Sequence, residues 1–219
     1  MNLVWKKMDK PLQKRPLPHY FKNEHQEFEA CKLGMWAFMV QEILFFSGLF
    51  VAYGVYKVIN PEMFLYASSL LDWKLGFINT LFLILSSFTM VMSVYYIQHG
   101  EKKKTLVNLT ATFFLATLFL VIKGFEYKAK FDHGYYPGMN FTGEGPFDTL
   151  HIFFGLYFTI TGLHAIHVLI GMALILWLIY RVAKNNVNKD YFTPLEMVGL
   201  YWHLVDVVWI FLFPLLYLL

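Results

Sequence analysis

The chain has 219 residues, of which 58% are hydrophobic, 20% aromatic and only 15% charged, a balance that excludes an ordinary soluble domain because the apolar surplus needs lipid to face. Eighteen Lys and Arg against fifteen Asp and Glu leave a net charge of +3, too small and too dispersed for a nucleic-acid partner. The single cysteine, Cys31, excludes an internal disulfide and any multi-cysteine metal site.

Residues 1–32 read as a polar, basic tail without the uninterrupted apolar core of a cleavable signal peptide. From residue 33 onward, apolar runs near membrane-spanning length recur at Leu33 to Tyr56, Leu75 to Ile97, Thr105 to Ile122, Leu150 to Tyr180 and Val198 to Leu219. Lipid cannot satisfy backbone N–H and C=O groups, and the short alternating segments of a membrane β-barrel are missing, so each run is expected to be a helix. The expected fold class is therefore an all-α integral membrane protein, a bundle of five transmembrane helices occupying 33–219 as one domain. The fourth run is about 46 Å long at 1.5 Å per residue and must tilt or protrude. Gly155, Gly162 and Gly171 within it are candidates for close helix packing.

Lys and Arg fall unevenly on the two sides of this plan. The tail, the Lys102–Lys103–Lys104 turn and the Arg181 to Met197 loop hold thirteen, and the opposite loops hold five. The positive-inside rule then places the N-terminus in the cytoplasm and the C-terminus in the periplasm. Trp5, Trp36, Trp73, Trp177 and Trp202 lie near the expected span ends, as amphipathic rings at headgroup depth would. The segment from Tyr127 to Thr149, rich in Gly and Pro, is expected to lie over the outer surface.

The polar residues inside the spans carry the functional information, because hydrocarbon excludes such groups unless they are paired, hydrated or used. Glu42 sits roughly 14 Å along the first span; an interhelical hydrogen bond and a proton-related role both fit it. His164 and His167, three apart, share a face of the fourth span, yet a pair alone is an incomplete ligand set, so core polar groups are preferred to a metal site. His203 and Asp206 repeat that spacing in the fifth span, where a carboxylate one turn from an imidazole can orient it; a packing network is preferred to a proton relay. Lys123 and Glu126 can pair at i, i+3 as the third span ends, and the expectation is a snorkelling interface anchor, as for Trp202.

Several strings, in order, resemble one family. Leu33-Gly34-Met35-Trp36 with Gln41-Glu42 and Phe45-Phe46-Ser47-Gly48-Leu49-Phe50 resembles the first helix of the five-helix bacterial form of haem–copper terminal oxidase subunit three. Asn79-Thr80 with Ser86-Ser87, Lys123-Gly124-Phe125-Glu126-Tyr127, the Gly162 to Gly171 string and Trp202-His203-Leu204-Val205-Asp206-Val207-Val208-Trp209 resemble the helices that follow. The resemblance covers about Glu27 to the C-terminus. It implies an accessory subunit of a proton-translocating oxidase in aerobic respiration, itself without metal or other cofactor. Haem and copper are then expected in the partners, catalytic subunit I and a copper-bearing or quinol-type subunit II. Bound phospholipids, stabilisation of the catalytic subunit and support of proton uptake are implied in the same way. Glu42 matches the family's intramembrane carboxyl. The two extra N-terminal helices of the longer, seven-helix form have no counterpart in this sequence.

The residues agree with the accessory role: a catalytic subunit would need histidines on several helices for two haems and a copper, and a dinuclear copper subunit would need paired cysteines. The equivalent subunit of a quinol oxidase or a nitric oxide reductase is an alternative that this sequence does not separate. A membrane di-iron oxygenase is a distant one, because only His164 and His167 form a closely spaced pair among eight histidines.

Overall fold

The computed structural model describes residues 21, 24–137, 141–143 and 145–218. Trp5 and the first twenty residues of the expected tail lie outside that set. Among the described residues six helices run in order: α1 Glu24–Ile59, α2 Pro61–Ser69, α3 Trp73–Gln98, α4 Lys102–Asp132, α5 Leu150–Ala183 and α6 Thr193–Tyr217. Five of them, all but α2, are long and apolar enough to cross a membrane. The chain is thus an all-helical membrane bundle of five spans, with a single isolated bridge, Asn188 to Tyr191, as the extended pairing among the described residues.

The helices outrun the apolar runs at nearly every end. α1 begins at Glu24, inside the stretch expected as a soluble tail, and α4 continues past Ile122 to Asp132. Hydropathy marks the hydrocarbon layer, whereas backbone hydrogen bonding carries a helix on into the headgroup region where polar side chains are welcome. The short α2 has no counterpart among the expected spans, since nine residues cannot cross a bilayer. Pro61 opens it at a position where a missing N–H costs nothing, and its inner face buries Met63, Phe64, Ala67 and Ser68. Asp72 then caps α3 by accepting from the Lys74 and Leu75 amides at 2.9 and 3.4 Å.

α3 and α4 form an antiparallel hairpin through a tight turn at Gly100, whose φ of +77° is a conformation glycine adopts without steric cost. Their seam is built from small hydroxyl residues, with Thr89 and Thr112 hydrogen-bonded at 2.7 Å and Ser86 and Ser93 buried beside them. α6 is the central helix, in contact with α1, α2, α3 and α5. At Gly171 of α5 an added Cβ would stand 2.7 Å from the Trp202 ring, so this glycine is what lets the two helices close. Gly155 does not act this way, because nothing lies within 4 Å of its Cβ position, and at Gly162 the nearest atom is the Tyr127 hydroxyl at 4.0 Å.

Trp36, Trp73 and Trp177 are exposed on the bundle surface, as interface rings should be. Trp202 is not an interface anchor. It is fully buried, seated against Gly171, with its indole N–H donated to the Ser86 hydroxyl at 3.1 Å. Nearness to the start of an apolar run does not reveal which way a ring points.

Candidate functional site

Four of the polar groups among the described residues of the spans contain the side chains expected from the sequence, and each involves more than one helix. The first joins α4, α5 and α6. Lys123 donates to Glu126 Oε2 at 3.0 Å, to the Tyr157 hydroxyl at 3.0 Å and to the Tyr217 hydroxyl, so its three ammonium hydrogens have three acceptors. Tyr157 and Tyr217 in turn donate to Glu126 Oε1 at 2.8 and 2.6 Å. The rings of Tyr127, Tyr157, Trp209 and Tyr217 stand around the ammonium at 4.9–5.7 Å from their centroids. The i, i+3 pairing of Lys123 with Glu126 is as the spacing predicts, but the anchor role is not. At 4% and 3% exposure both side chains point into the bundle and neither snorkels. Two tyrosines from other helices supply what water would otherwise provide, and nothing in the local spacing signals them.

The second group ties α1 to α5. Glu42 and His167 are paired at 3.1 Å, with 12% and 17% of their side chains exposed. The other ring nitrogen of His167 meets the Leu163 carbonyl at 2.7 Å, and Phe46 packs edge-on against the imidazole. Tyr201 of α6 donates to the His167 carbonyl at 3.0 Å. The pair opens on a surface groove whose other walls are Gln41, Leu44 and Phe45.

The third group lies between α3 and α6, where the Ser87 hydroxyl and Nδ1 of His203 are 2.6 Å apart. Asp206, one turn on, is 2% exposed, and neither carboxyl oxygen has a hydrogen-bond partner among the described residues, although Ser87 also faces it. The fourth is His164, fully enclosed between the rings of Phe119 and Trp209 at 5.7 and 5.2 Å, with neither ring nitrogen engaged.

Glu42 is partnered by His167 of α5, and His203 pairs with Ser87 rather than with Asp206. His164 and His167 share the spacing of one helical face but divide between a closed aromatic pocket and an open groove. No group of three His, Cys, Asp or Glu side chains able to hold a metal occurs among the described residues. Sequence reading missed Tyr157, Tyr201 and Tyr217; the signal available was a phenol inside an apolar run, where an O–H needs a partner.

The chain matches the family model described as cytochrome c oxidase subunit III over residues 20–219. It belongs to the cytochrome c oxidase subunit III family. A probable quinol oxidase subunit 3 from Staphylococcus saprophyticus is 31% identical, covering 86% of this chain and 88% of the relative. The cytochrome c oxidase subunit 3 of Bacillus sp. strain PS3 is 30% identical over 85% of this chain and 84% of its own length. That of the alga Prototheca wickerhamii is 28% identical over 86% and 69%. This subunit III is accordingly a multi-pass bacterial membrane protein and a component of a haem–copper oxidase of the cytochrome c or quinol type. The motifs that carried the resemblance are dispersed through the polar groups above: Gln41-Glu42 in the groove, Lys123 to Tyr127 in the buried cluster, and the Trp202 to Trp209 string along α6.

Proposed function

We propose that this chain is the accessory, metal-free subunit III of a proton-translocating haem–copper oxidase of the cytochrome c type, stabilising catalytic subunit I and supporting proton uptake there. Haem and copper belong in this reading to subunits I and II, and the N-terminus to the cytoplasm. The observation that carries it is how the intramembrane charges are used. Lys123 with Glu126, and Glu42 with His167, are committed to each other across helix contacts, which is what a rigid scaffold does with polar groups. The Glu42 groove, walled by Leu44 and Phe45 and open to the bundle surface, is suited to an acyl chain, and phospholipid is proposed to occupy it.

The experiment is to purify the oxidase with and without this subunit. The account expects an unchanged haem spectrum and initial turnover in its absence, with fewer turnovers completed before activity is lost and slower proton uptake. Loss of the haem signal on removal would show a direct part in holding the redox centres and would overturn the accessory role. The quinol oxidase reading has its own support in the Staphylococcus relative. Donor preference of the purified complex separates the two.

A further inference from the structure

Ser87 of α3 stands between two titratable side chains of α6. Its hydroxyl is 2.6 Å from Nδ1 of His203, and it also faces the carboxyl of Asp206, one turn further along α6, without closing a hydrogen bond to it. All three lie near mid-depth, His203 about 15 Å and Asp206 about 20 Å along α6 from Thr193, and Ser87 about 21 Å along α3 from Trp73. Asp206 is buried, whereas His203 is only partly so, and its Nε2 has no hydrogen-bond partner among the described residues. Neither side chain forms an ion pair among the described residues: Glu42 is paired with His167, Lys123 with Glu126, and His164 is shut between aromatic rings. A lone carboxylate in hydrocarbon is too costly to keep, so Asp206 holds its proton.

That proton decides how the other hydrogens are arranged. Ser87 has one hydrogen to give and lone pairs with which to accept. A neutral acid offers its O–H to Ser87, and Ser87 then gives its own hydrogen to Nδ1, which leaves the His203 proton on Nε2. In the reverse order Nδ1–H would donate to Ser87 and strand the O–H of Asp206, and a buried donor without a partner is costly. We infer that Asp206, Ser87 and His203 are one proton-binding site, in which a proton held on Asp206 is linked through the Ser87 hydroxyl to the His203 ring, its outlet from the bundle. A proton leaving Nε2 for water at the ring edge is replaced at Nδ1 by the Ser87 hydrogen, and that in turn by the Asp206 hydrogen. Bonds to hydrogen break at Nε2, at Ser87 Oγ and at the carboxyl, and form on water, at Nδ1 and on Ser87 Oγ. No electron moves, and Asp206 is left as the carboxylate. The site lies wholly within this chain, so it stands or falls separately from the accessory reading.

The test uses the full chain in lipid bilayers, with nitrogen-labelled histidine for NMR and infrared difference spectra for the carboxyl. Signals are assigned by their loss in His203→Gln and Asp206→Asn. The wild-type chain is expected to show a bare Nδ1 and a protonated Nε2 on His203, and a carboxylic acid C=O band from Asp206. Ser87→Ala should raise that band to the position of a free acid and abolish the preference for Nε2–H, while Ser87→Thr, which keeps the hydroxyl, should restore both. A merely structural bond between Ser87 and His203 would lose the Nε2–H preference in Ser87→Ala with the Asp206 band unmoved, and that result overturns the site. So does a carboxylate at Asp206 or a proton on Nδ1 in the wild-type chain, which is read without any change at Ser87. Transferred to heavy water, the acid band should shift as deuterium enters by way of His203, and over the same time the shift should be lost in His203→Leu. Exchange at the wild-type rate in His203→Leu would overturn the outlet.

Discussion

α1 and α6 are both long apolar helices, yet in the most apolar stretch of each only 11% of α1 is buried inside the chain against 56% of α6. The difference lies in what holds them. α6 is gripped along its length: Trp202 and Trp209 donate to Ser86 and Thr80, Tyr217 enters the Lys123–Glu126 cluster, and its last carbonyls are claimed by other helices. Tyr53 of α1 donates to the Leu215 carbonyl at 2.9 Å and Ser68 of α2 to the Leu216 carbonyl at 3.0 Å, filling acceptors that a helix end leaves empty. α1 is fastened at fewer points, by the Glu42–His167 pair, the Tyr53 bond and aromatic contacts of Phe38 and Phe46. Substitutions at the α6 end should therefore damage the fold of the isolated chain, and those at Glu42 should leave it nearly intact.

The largest effect is expected where a buried charge loses its partner. Lys123→Met strands Glu126 among Tyr157 and Tyr217 and should cost about 3–5 kcal/mol in unfolding of the purified chain, with much of it recovered in Lys123→Met/Glu126→Gln. A single-mutant loss below about 1 kcal/mol would mean the cluster is not what secures α6. Next comes the helix contact: Gly171→Ala drives a Cβ into the Trp202 ring and should cost about 1–3 kcal/mol. Gly155→Ala, on the same helix but facing open space, should gain up to about 1 kcal/mol from helix propensity. Equal losses at the two glycines would erase the distinction between a packed and an open face of α5. Tyr53→Phe removes one hydrogen bond to the α6 end and should cost about 1 kcal/mol by the same measurement. The smallest change is expected on α1. Glu42→Gln keeps the shape and an acceptor for His167, so thermal stability, oxidase assembly and turnover should all stay near wild type; slowed proton uptake in an assembled complex would instead assign the carboxyl a proton-handling part.

The same contrast explains what could be read in the sequence. Five spans were legible because bulk hydropathy alone marks a helix crossing lipid, and the Gly171 contact was among three glycines singled out. Helix ends were not, since α1 and α4 run on into polar segments that hydropathy treats as loop. The Lys123–Glu126 spacing revealed the pair, but only the arrival of Tyr157 and Tyr217 from distant helices shows that it lies inside. Glu42 was recognisable as a residue lipid should exclude, whereas its partner depended on the rotation of α5, which places His167 at the groove and His164 between Phe119 and Trp209. A helical face can be counted in sequence; its neighbour comes from packing.

On the proposed reading these polar residues hold a scaffold and not a redox centre. It is tested most directly by metal analysis and the optical spectrum of the chain purified alone, beside those of the assembled oxidase. The account predicts haem and copper in the complex and neither haem, copper nor iron in the isolated, folded chain, with His164→Ala altering assembly or lifetime and leaving the haem spectrum of the complex unchanged. A stoichiometric metal on the isolated chain, lost with His164→Ala or His167→Ala, would contradict it.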